Sequence, residues 1–207
     1  KSVVCSFQFI IDLIERYTGV KLSLSKIRNE LFSEYKQYLD KYHDKIVDIL
    51  IIEGKKLLGK EYNQKVKSDK INFLSFISTE NYFLTTLDLW LLVQRYKIPT
   101  IFISQNCILQ TKYEKRSFLG YGDEQQDKYA FIILPGLRDE SIPNFKLVQT
   151  DKGDGDVFIS LGDIKCIGKI REIVNDNLSV ESYLDDFTKS SKTNYQEKKK
   201  CADDTIG

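Results

Sequence analysis

The spacing of the apolar residues changes at Pro99, and this change constrains the fold more than any other feature of the chain. Before Pro99 the apolar residues recur at the intervals of an α-helix. After it they form strand-length runs, separated by turn residues such as glycine, proline and aspartate. Helices followed by strands indicate an α+β fold. We therefore predict N-terminal helices followed by a small, mostly antiparallel sheet.

The first part of the chain predicts three long helices and one short helix. Gly19 and Gly59 are expected to end the first and third, because glycine readily adopts the left-handed conformation found at helix C-termini. Either Ser23 or Ser25 is a suitable N-cap for the second. The predicted spans are 5–17, 23 or 25 to 39, 43–58 and 70–77.

Thr85 and Asp88 have the spacing of a capping box, in which each side chain at the helix start accepts a hydrogen bond from the other residue's backbone N–H. The helix that follows is apolar nearly all round, so we expect it to be buried. Pro99 ends this segment, and the β-branched run 100–103 predicts a buried strand. The stretch from Thr85 to residue 103 therefore predicts a helix and a strand inside the core.

Three further segments of strand length follow, at 129–134, 145–148 and 157–161. Residues 151–156, rich in aspartate and glycine, separate the last two and indicate a hairpin turn. One or two short helices are expected over 162–187. We predict a single globular domain, residues 1–187, and a polar lysine-rich tail, residues 188–207, that is loosely held.

The composition excludes several kinds of site. The chain has one histidine, His43, and four cysteines without C-x-x-C spacing, so it cannot supply a zinc site of the usual histidine and cysteine sets. We predict no metal and no cofactor. A net charge of +1 disfavours nucleic acid as a partner. No stretch approaches the ~20 apolar residues of a transmembrane helix, and the start does not resemble a signal peptide, so we predict no membrane partner and no secretion.

Cys5 is the cysteine with a candidate chemical role. It lies at the start of the first predicted helix, where the helix dipole and free N–H groups lower the pKa of a thiol. The alternative is that a small residue is simply tolerated at this helix start. The order of the short elements further along the chain bears on the choice between a reactive and an inert Cys5.

Several short elements recur in the order of a known protease family: Ile27-Arg28, Asp88-Leu89, Tyr96 and the apolar strand 98–103. Their order resembles that of the ovarian-tumour (OTU) family of cysteine proteases, which cleave ubiquitin chains. The resemblance covers residues 2–150 and implies an OTU-like fold of the papain type. Tyr82-Phe83 replaces the family's Trp-Gly element. On this resemblance we take Tyr82, Asp88 and Trp90 as candidate binding residues.

The same resemblance assigns the catalytic positions. Cys5 aligns with the family's nucleophile, although Ser2-Val3-Val4 replaces the acidic–Gly–Asn approach that helps to form the oxyanion hole. Asn144, directly before Phe145, occupies the position of the family's histidine base. An asparagine side chain cannot shuttle a proton, and His43 is expected at a helix surface. We therefore predict that catalysis has been lost.

The predicted function is that of a catalytically inactive OTU-like domain. It would serve as an interaction or structural module of a larger viral protein or assembly, with ubiquitin or other subunits of that assembly as the protein partner. The alternative is an active deubiquitinase that uses Cys5 as its nucleophile. The viral source is inferred from 25 lysines against 6 arginines, a bias of AT-rich genomes such as those of large DNA viruses. We accordingly expect the protein in the host cytoplasm or the virion, as a fragment or processed product because it begins with lysine.

Two other patterns suggest different chemistry. Asp156, Asp163 and Lys165 faintly resemble the carboxylate-and-lysine sites that hold Mg²⁺ in nucleases, although solvated turn residues explain them better. Gly54 and the pair Gly59-Lys60 keep the spacing of a phosphate-binding loop. However, a glutamate follows where that loop needs a serine or threonine, and Gly59 is better explained as a helix stop.

Overall fold

The computed structural model describes residues 4–67, 72–104, 117–135, 144–150, 155–165, 167–176 and 178–187, with backbone alone for residues 4–5 and 51–67. The helices are α1 (Val4–Thr18), α2 (Leu24–Lys67), α3 (Phe73–Ile77), α4 (Thr86–Arg95), α5 (Ile167–Asn175) and α6 (Val180–Asp186). The strands are β1 (Thr100–Ile103), β2 (Phe118–Tyr121), β3 (Lys128–Ile133), β4 (Lys146–Leu147) and β5 (Phe158–Ser160), and a 3₁₀ turn covers Leu161–Asp163.

Helix α1 matches the predicted span closely. It ends where predicted, because Gly19 takes a left-handed φ of 75° and donates its N–H to the carbonyl oxygen of Glu15 at 2.8 Å. One face of α1 is buried, through Phe7, Ile10, Ile11, Leu13 and Ile14. Apolar residues at this helical spacing are the pattern from which α1 was predicted.

The predicted second and third helices are one continuous helix, α2, so the predicted break near residue 40 is wrong. Leu39, Tyr42 and Ile46 continue the apolar interval of three and four across that point, and no glycine or proline interrupts it. The predicted helix end at Gly59 is also wrong, because the helix continues to Lys67. A glycine inside a helix costs only about 1 kcal/mol, so it need not end one.

Helix α3 falls within the predicted short helix, and α4 begins with the predicted capping box. The Thr85 side chain accepts from the N–H of Asp88, and the Asp88 side chain accepts from the N–H of Thr85. Every residue from Leu87 to Val93 is buried, which confirms that α4 is an internal helix. Its apolar circumference meets α2 on one side and the sheet on another.

The five described strands form one mixed sheet, so the predicted α+β class is confirmed. The order is β2-β1-β3-β4, with β5 also paired to β3. Strand β1 runs parallel to β3, whereas the other described pairings are antiparallel. Strand β2 was not predicted, because its four residues include Gly120 and the segment lacks the β-branched run that marks β1.

The predicted hairpin around residues 151–156 is wrong for the two strands that flank it. Strand β4 pairs with the end of β3, and β5 pairs with the start of β3, both antiparallel to it. Two strands antiparallel to the same neighbour run in the same direction, so β4 and β5 cannot be the two arms of a hairpin. They pair with the two ends of β3 as two parts of one interrupted strand.

The sheet separates a large core from a small one. The large core lies between the sheet and the helices α1, α2, α3, α4 and α6. The small core, on the other face, is covered by α5 and consists of Ile101, Tyr129, Phe131, Ile159 and Ile170. Helices α5 and α6 confirm the short terminal helices that were predicted. Among the described residues, no helix has the length and apolar character needed to cross a membrane.

Candidate functional site

The start of α1 lies where two other segments of the chain meet. Ser6 is buried, and its Oγ accepts the backbone N–H of Leu84 at 3.0 Å. The ring of Phe9, one helical turn after Cys5, lies 6.0 Å from the ring of Phe145. The first turn of α1 therefore neighbours both the approach to α4 and the segment that carries Asn144.

The structure describes only some of the predicted catalytic groups. The backbone of Cys5 lies in the first turn of α1, but its side chain is outside the described residues, as are Ser2 and Val3. Asn144 is half-buried and immediately precedes the buried Phe145. In an OTU-like arrangement the side chains of Cys5 and Asn144 would lie within reach of each other, and this stays a prediction.

Asp88 is the centre of a buried hydrogen-bond cluster. Its Oδ1 accepts from the hydroxyl group of Tyr35 on α2. Its Oδ2 accepts from the hydroxyl group of Tyr82 at 2.6 Å and from the backbone N–H of Thr85 at 2.9 Å. All four residues are at most 2% exposed. We call Tyr35, Tyr82, Thr85 and Asp88 the Asp88 cluster.

Burial controls the charge of this carboxyl group. Removal from water raises the pKa of Asp88 to about 6, although the hydrogen bonds from Tyr35, Tyr82 and Thr85 act in the opposite direction. Asp88 has no ion-pair partner among the described residues. The cluster therefore holds an acidic group in the interior with only neutral donors around it.

The three predicted binding residues are internal. Tyr82 and Asp88 belong to the Asp88 cluster, and Trp90 is 2% exposed, with its ring 4.7 Å from that of Phe118. The indole Nε1 of Trp90 has no hydrogen-bond partner among the described residues. None of the three presents surface to a docked protein in this conformation, and each has a packing role instead.

His43 lies on the solvent-facing side of α2, as expected. Its Nδ1 is 3.4 Å from Oδ1 of Asp44. The neighbouring residues of α2 contact α6: Tyr42 donates to Asp185 at 2.6 Å, and Lys45 donates to the carbonyl oxygen of Leu184 at 2.8 Å. His43 is thus near the part of α2 that packs against α6, and not near the part that meets α1.

The structure gives no support to the two other chemical patterns. Asp163 lies in an exposed 3₁₀ turn, and Asp156 accepts the N–H of Phe158 at 2.9 Å, as turn residues do. In the described part of the chain, no group of three acidic, cysteine or histidine side chains could hold a metal ion. Gly54 and the pair Gly59-Lys60 lie inside α2, and a continuous helix cannot form the loop that wraps phosphates.

Tyr35 is the member of the cluster that sequence reasoning missed. It continues the apolar face of α2 after Ile27 and Leu31 at intervals of four, so the pattern marks it as a core residue. A tyrosine in a core usually needs a partner for its hydroxyl group. That rule indicates a buried acceptor, but it does not say that the acceptor is Asp88, which lies far away in sequence.

Compared with known proteins, the chain matches no protein-family model, no curated protein and no solved structure. Its function has to be inferred from its own residues and their geometry.

Proposed function

We propose that the chain is an OTU-like domain that has lost proteolytic activity and acts as a protein-interaction module, with ubiquitin as the first candidate partner. The observation that carries the proposal is the contact between Phe9 and Phe145, at 6.0 Å between ring centroids. It brings the helix that starts with the candidate nucleophile beside the segment where the resemblance expects the base. In this chain the residue at that position is Asn144.

The chemistry of Asn144 explains the loss of activity. A cysteine protease needs a group that accepts the thiol proton and later returns a proton to the leaving amine. The amide of asparagine can donate and accept hydrogen bonds, but it does not change its protonation state at ordinary pH. Loss of the base from a catalytic triad costs several orders of magnitude in rate.

His43, the only histidine of the sequence, does not replace the base within one chain. Helix α2 meets α1 near Arg28, whose guanidinium carbon lies 5.2 Å from the centroid of the Phe7 ring. At 1.5 Å per residue, His43 lies about 22 Å further along the helix axis. An imidazole at that distance cannot take a proton from a thiol in the first turn of α1.

The surface for a partner is best sought at the end of α1. Tyr17 and Val20 are 43% and 54% exposed, the largest exposure of any bulky apolar side chains in the described residues. The Tyr17 ring lies 5.3 Å from that of Phe158, so apolar surface continues onto β5. Exposed apolar side chains occur singly on many proteins, so this surface is a place to test first.

Activity is tested with a ubiquitin probe that carries an electrophile at its C-terminus and labels reactive cysteines covalently. We expect no labelling of the wild-type chain. Asn144→His should restore slow labelling, and adding Cys5→Ser to that variant should abolish it. Stoichiometric labelling of the wild-type protein at Cys5 would establish the active deubiquitinase instead.

Partner binding needs a separate measurement. Titration of the ¹⁵N-labelled chain with unlabelled ubiquitin should move a contiguous set of amide signals, and Tyr17→Ala with Val20→Ser tests whether that set includes the end of α1. Lys97→Ala, on an exposed turn elsewhere, is the matched surface control. The absence of any shift at millimolar ubiquitin would remove ubiquitin as the partner.

A further inference from the structure

The Asp88 cluster connects three parts of the protein that are separate in sequence. Tyr35 belongs to α2, Tyr82 belongs to the α3–α4 connection (residues 78–85), and Asp88 belongs to α4. The same connection continues to Leu84, whose N–H is bonded to Ser6 of α1 at 3.0 Å. A change at the carboxyl group of Asp88 therefore acts on the connection, and through it on the first turn of α1.

The cluster can hold the carboxyl group with or without its proton. A tyrosine hydroxyl can donate or accept a hydrogen bond, so Tyr35 or Tyr82 can accept a hydrogen bond from the O–H of a neutral Asp88 after its own hydroxyl hydrogen rotates away. The N–H of Thr85 can only donate, and it finds a free lone pair in either state. The arrangement is therefore compatible with both states, but only the ionised state places an uncompensated charge in the interior.

The rings packed against the two tyrosines of the cluster are apolar. Helix α3 contributes Phe73, whose ring lies 4.8 Å from that of Tyr35, and Phe76, 4.8 Å from that of Tyr82. Helix α1 contributes the ring of Phe7, 6.4 Å from that of Tyr82. The titratable groups that face Asp88 itself are the two tyrosine hydroxyls.

The charged side chains of the surrounding elements are engaged elsewhere. Glu34, beside Tyr35 on α2, pairs with Arg95 at 2.6 Å. Arg28 donates to the carbonyl oxygen of Thr79 at 3.3 Å and lies over the ring of Phe7, so it holds the α3–α4 connection at Thr79 and not at Asp88. No cation in the described residues forms an ion pair with Asp88 to balance its charge.

We propose that Asp88 is a pH-sensitive latch, which holds the α3–α4 connection closed when its carboxyl group is protonated and favours opening of that connection when the group ionises. Opening returns the charge to water. It separates Tyr82 and Thr85 from Asp88 and releases the Leu84 N–H from Ser6. The first turn of α1 is then held less firmly. The latch does not depend on the proposed binding of ubiquitin.

The pair of Tyr42 and Asp185 contains the same kind of hydrogen bond, but its carboxylate is 53% exposed. Its hydrogen bond, 2.6 Å, is as short as that between Tyr82 and Asp88. At Asp185 the hydrogen bond from Tyr42 is the largest influence, and together with the nearby cations Lys41 and Lys45 it lowers the pKa. In the buried pair the loss of water outweighs the hydrogen bonds, and the pKa of Asp88 is raised. Asp185 therefore serves as the control: a carboxylate with a tyrosine donor that keeps its contact with water and has cations nearby.

The latch is tested by hydrogen exchange on the full chain, followed at the backbone amides of Leu84, Thr85 and Asp88. After correction for the intrinsic exchange rate, we expect the equilibrium constant for opening to increase about tenfold from pH 5 to pH 7.5. This is the change expected if Asp88 has a pKa of about 6 in the closed state and the ordinary aspartate pKa in the open state. The amide of Tyr183 in α6, bonded to Ser179, is the internal reference and should not show this increase.

Two variants separate the latch from other effects of pH. Asp88→Asn removes the titrating group at almost constant shape and should abolish the increase, whereas Asp185→Asn should leave it unchanged. If Asp88→Asn does not fold, Tyr82→Phe removes one hydrogen-bond donor to the ionised carboxylate and should move the midpoint of the increase to higher pH.

Carboxyl ¹³C NMR of the wild-type chain should show one aspartate titrating far above the others. An exchange profile that is the same with and without Asp88, or an Asp88 signal that titrates below about pH 4.5, overturns the proposal.

Discussion

The hydroxyl group of Tyr82 lies 2.6 Å from Oδ2 of Asp88, in a part of the core where neither residue is more than 1% exposed. The capping box alone would fix Asp88 at the start of α4, where its carboxylate is usually in contact with water. The tyrosine replaces that water, and Tyr35 does the same from α2. A helix cap is thereby converted into a buried contact between the α3–α4 connection and α2.

We predict that Asp88→Ala destabilises the protein by about 3 kcal/mol, because two hydroxyl groups and one N–H lose their acceptor inside the core. Chemical denaturation of wild-type and variant protein measures the change in the free energy of unfolding. Asp185→Ala removes a tyrosine contact from a carboxylate that is 53% exposed, and should have a much smaller effect. Equal losses for the two variants would show that burial of the cluster does not matter.

We also predict that the free energy of unfolding depends on pH through Asp88. Because the pKa of Asp88 is raised to about 6 in the folded state, its contribution is fully present below the ordinary aspartate pKa and is lost as the pH rises through about 6. The loss is on the order of 3 kcal/mol for a shift of this size. Denaturation curves between pH 4 and pH 7.5 measure it.

The comparison that isolates this effect is with Asp88→Asn. The difference in stability between wild type and variant should become less favourable to the wild type as the pH rises over this range. Other carboxyl groups contribute equally to both proteins, so they cancel in the difference. A difference that stays constant with pH would show that Asp88 has an ordinary pKa in the folded protein.

Local signals in the sequence were sufficient for several of these features. The capping box needs only two residues three positions apart, so Thr85 and Asp88 could be identified without any tertiary information. The stop at Gly19 is equally local. The partners Tyr35 and Tyr82 belong to the cluster through packing of α2 and the connection, and pairing of that kind leaves no local pattern.

The errors have a common physical origin. The hairpin between β4 and β5 was predicted from turn residues alone, but turn residues do not determine which strand a segment pairs with, and both strands pair with β3. The end of a helix at Gly59 was likewise inferred from one residue type. The candidate site depends on the same kind of long-range contact, since Phe9 and Phe145 meet only after the sheet and α1 have packed.

The contact between Phe9 and Phe145 gives a third prediction. Phe145 is 6% exposed, so Phe145→Ala should cost about 3 to 5 kcal/mol, whereas Phe9 is only partly buried and its replacement should cost less. In a double-mutant cycle with Phe9→Ala, we expect a coupling of about 0.5 to 1.5 kcal/mol. Urea unfolding of the four proteins measures it. A coupling of zero would mean that α1 and the segment of Asn144 are not in contact in solution, and would remove the main support for the proposed function.

Gly120 of β2 gives the last prediction, because it allows a close approach between neighbouring strands. A Cβ atom at this position would lie 2.6 Å from Cε2 of Phe102, which is fully buried and stacked on Phe118. Gly120→Ala therefore forces the Phe102 ring to move and should destabilise the protein by about 1 to 3 kcal/mol. Gly168→Ala in α5 is the matched control, since a Cβ there meets no atom within 4 Å and should stabilise the helix by about 0.5 to 1 kcal/mol. Thermal unfolding of both variants checks the opposite signs, and a neutral Gly120→Ala would show that β2 does not pack on β1 as closely as described.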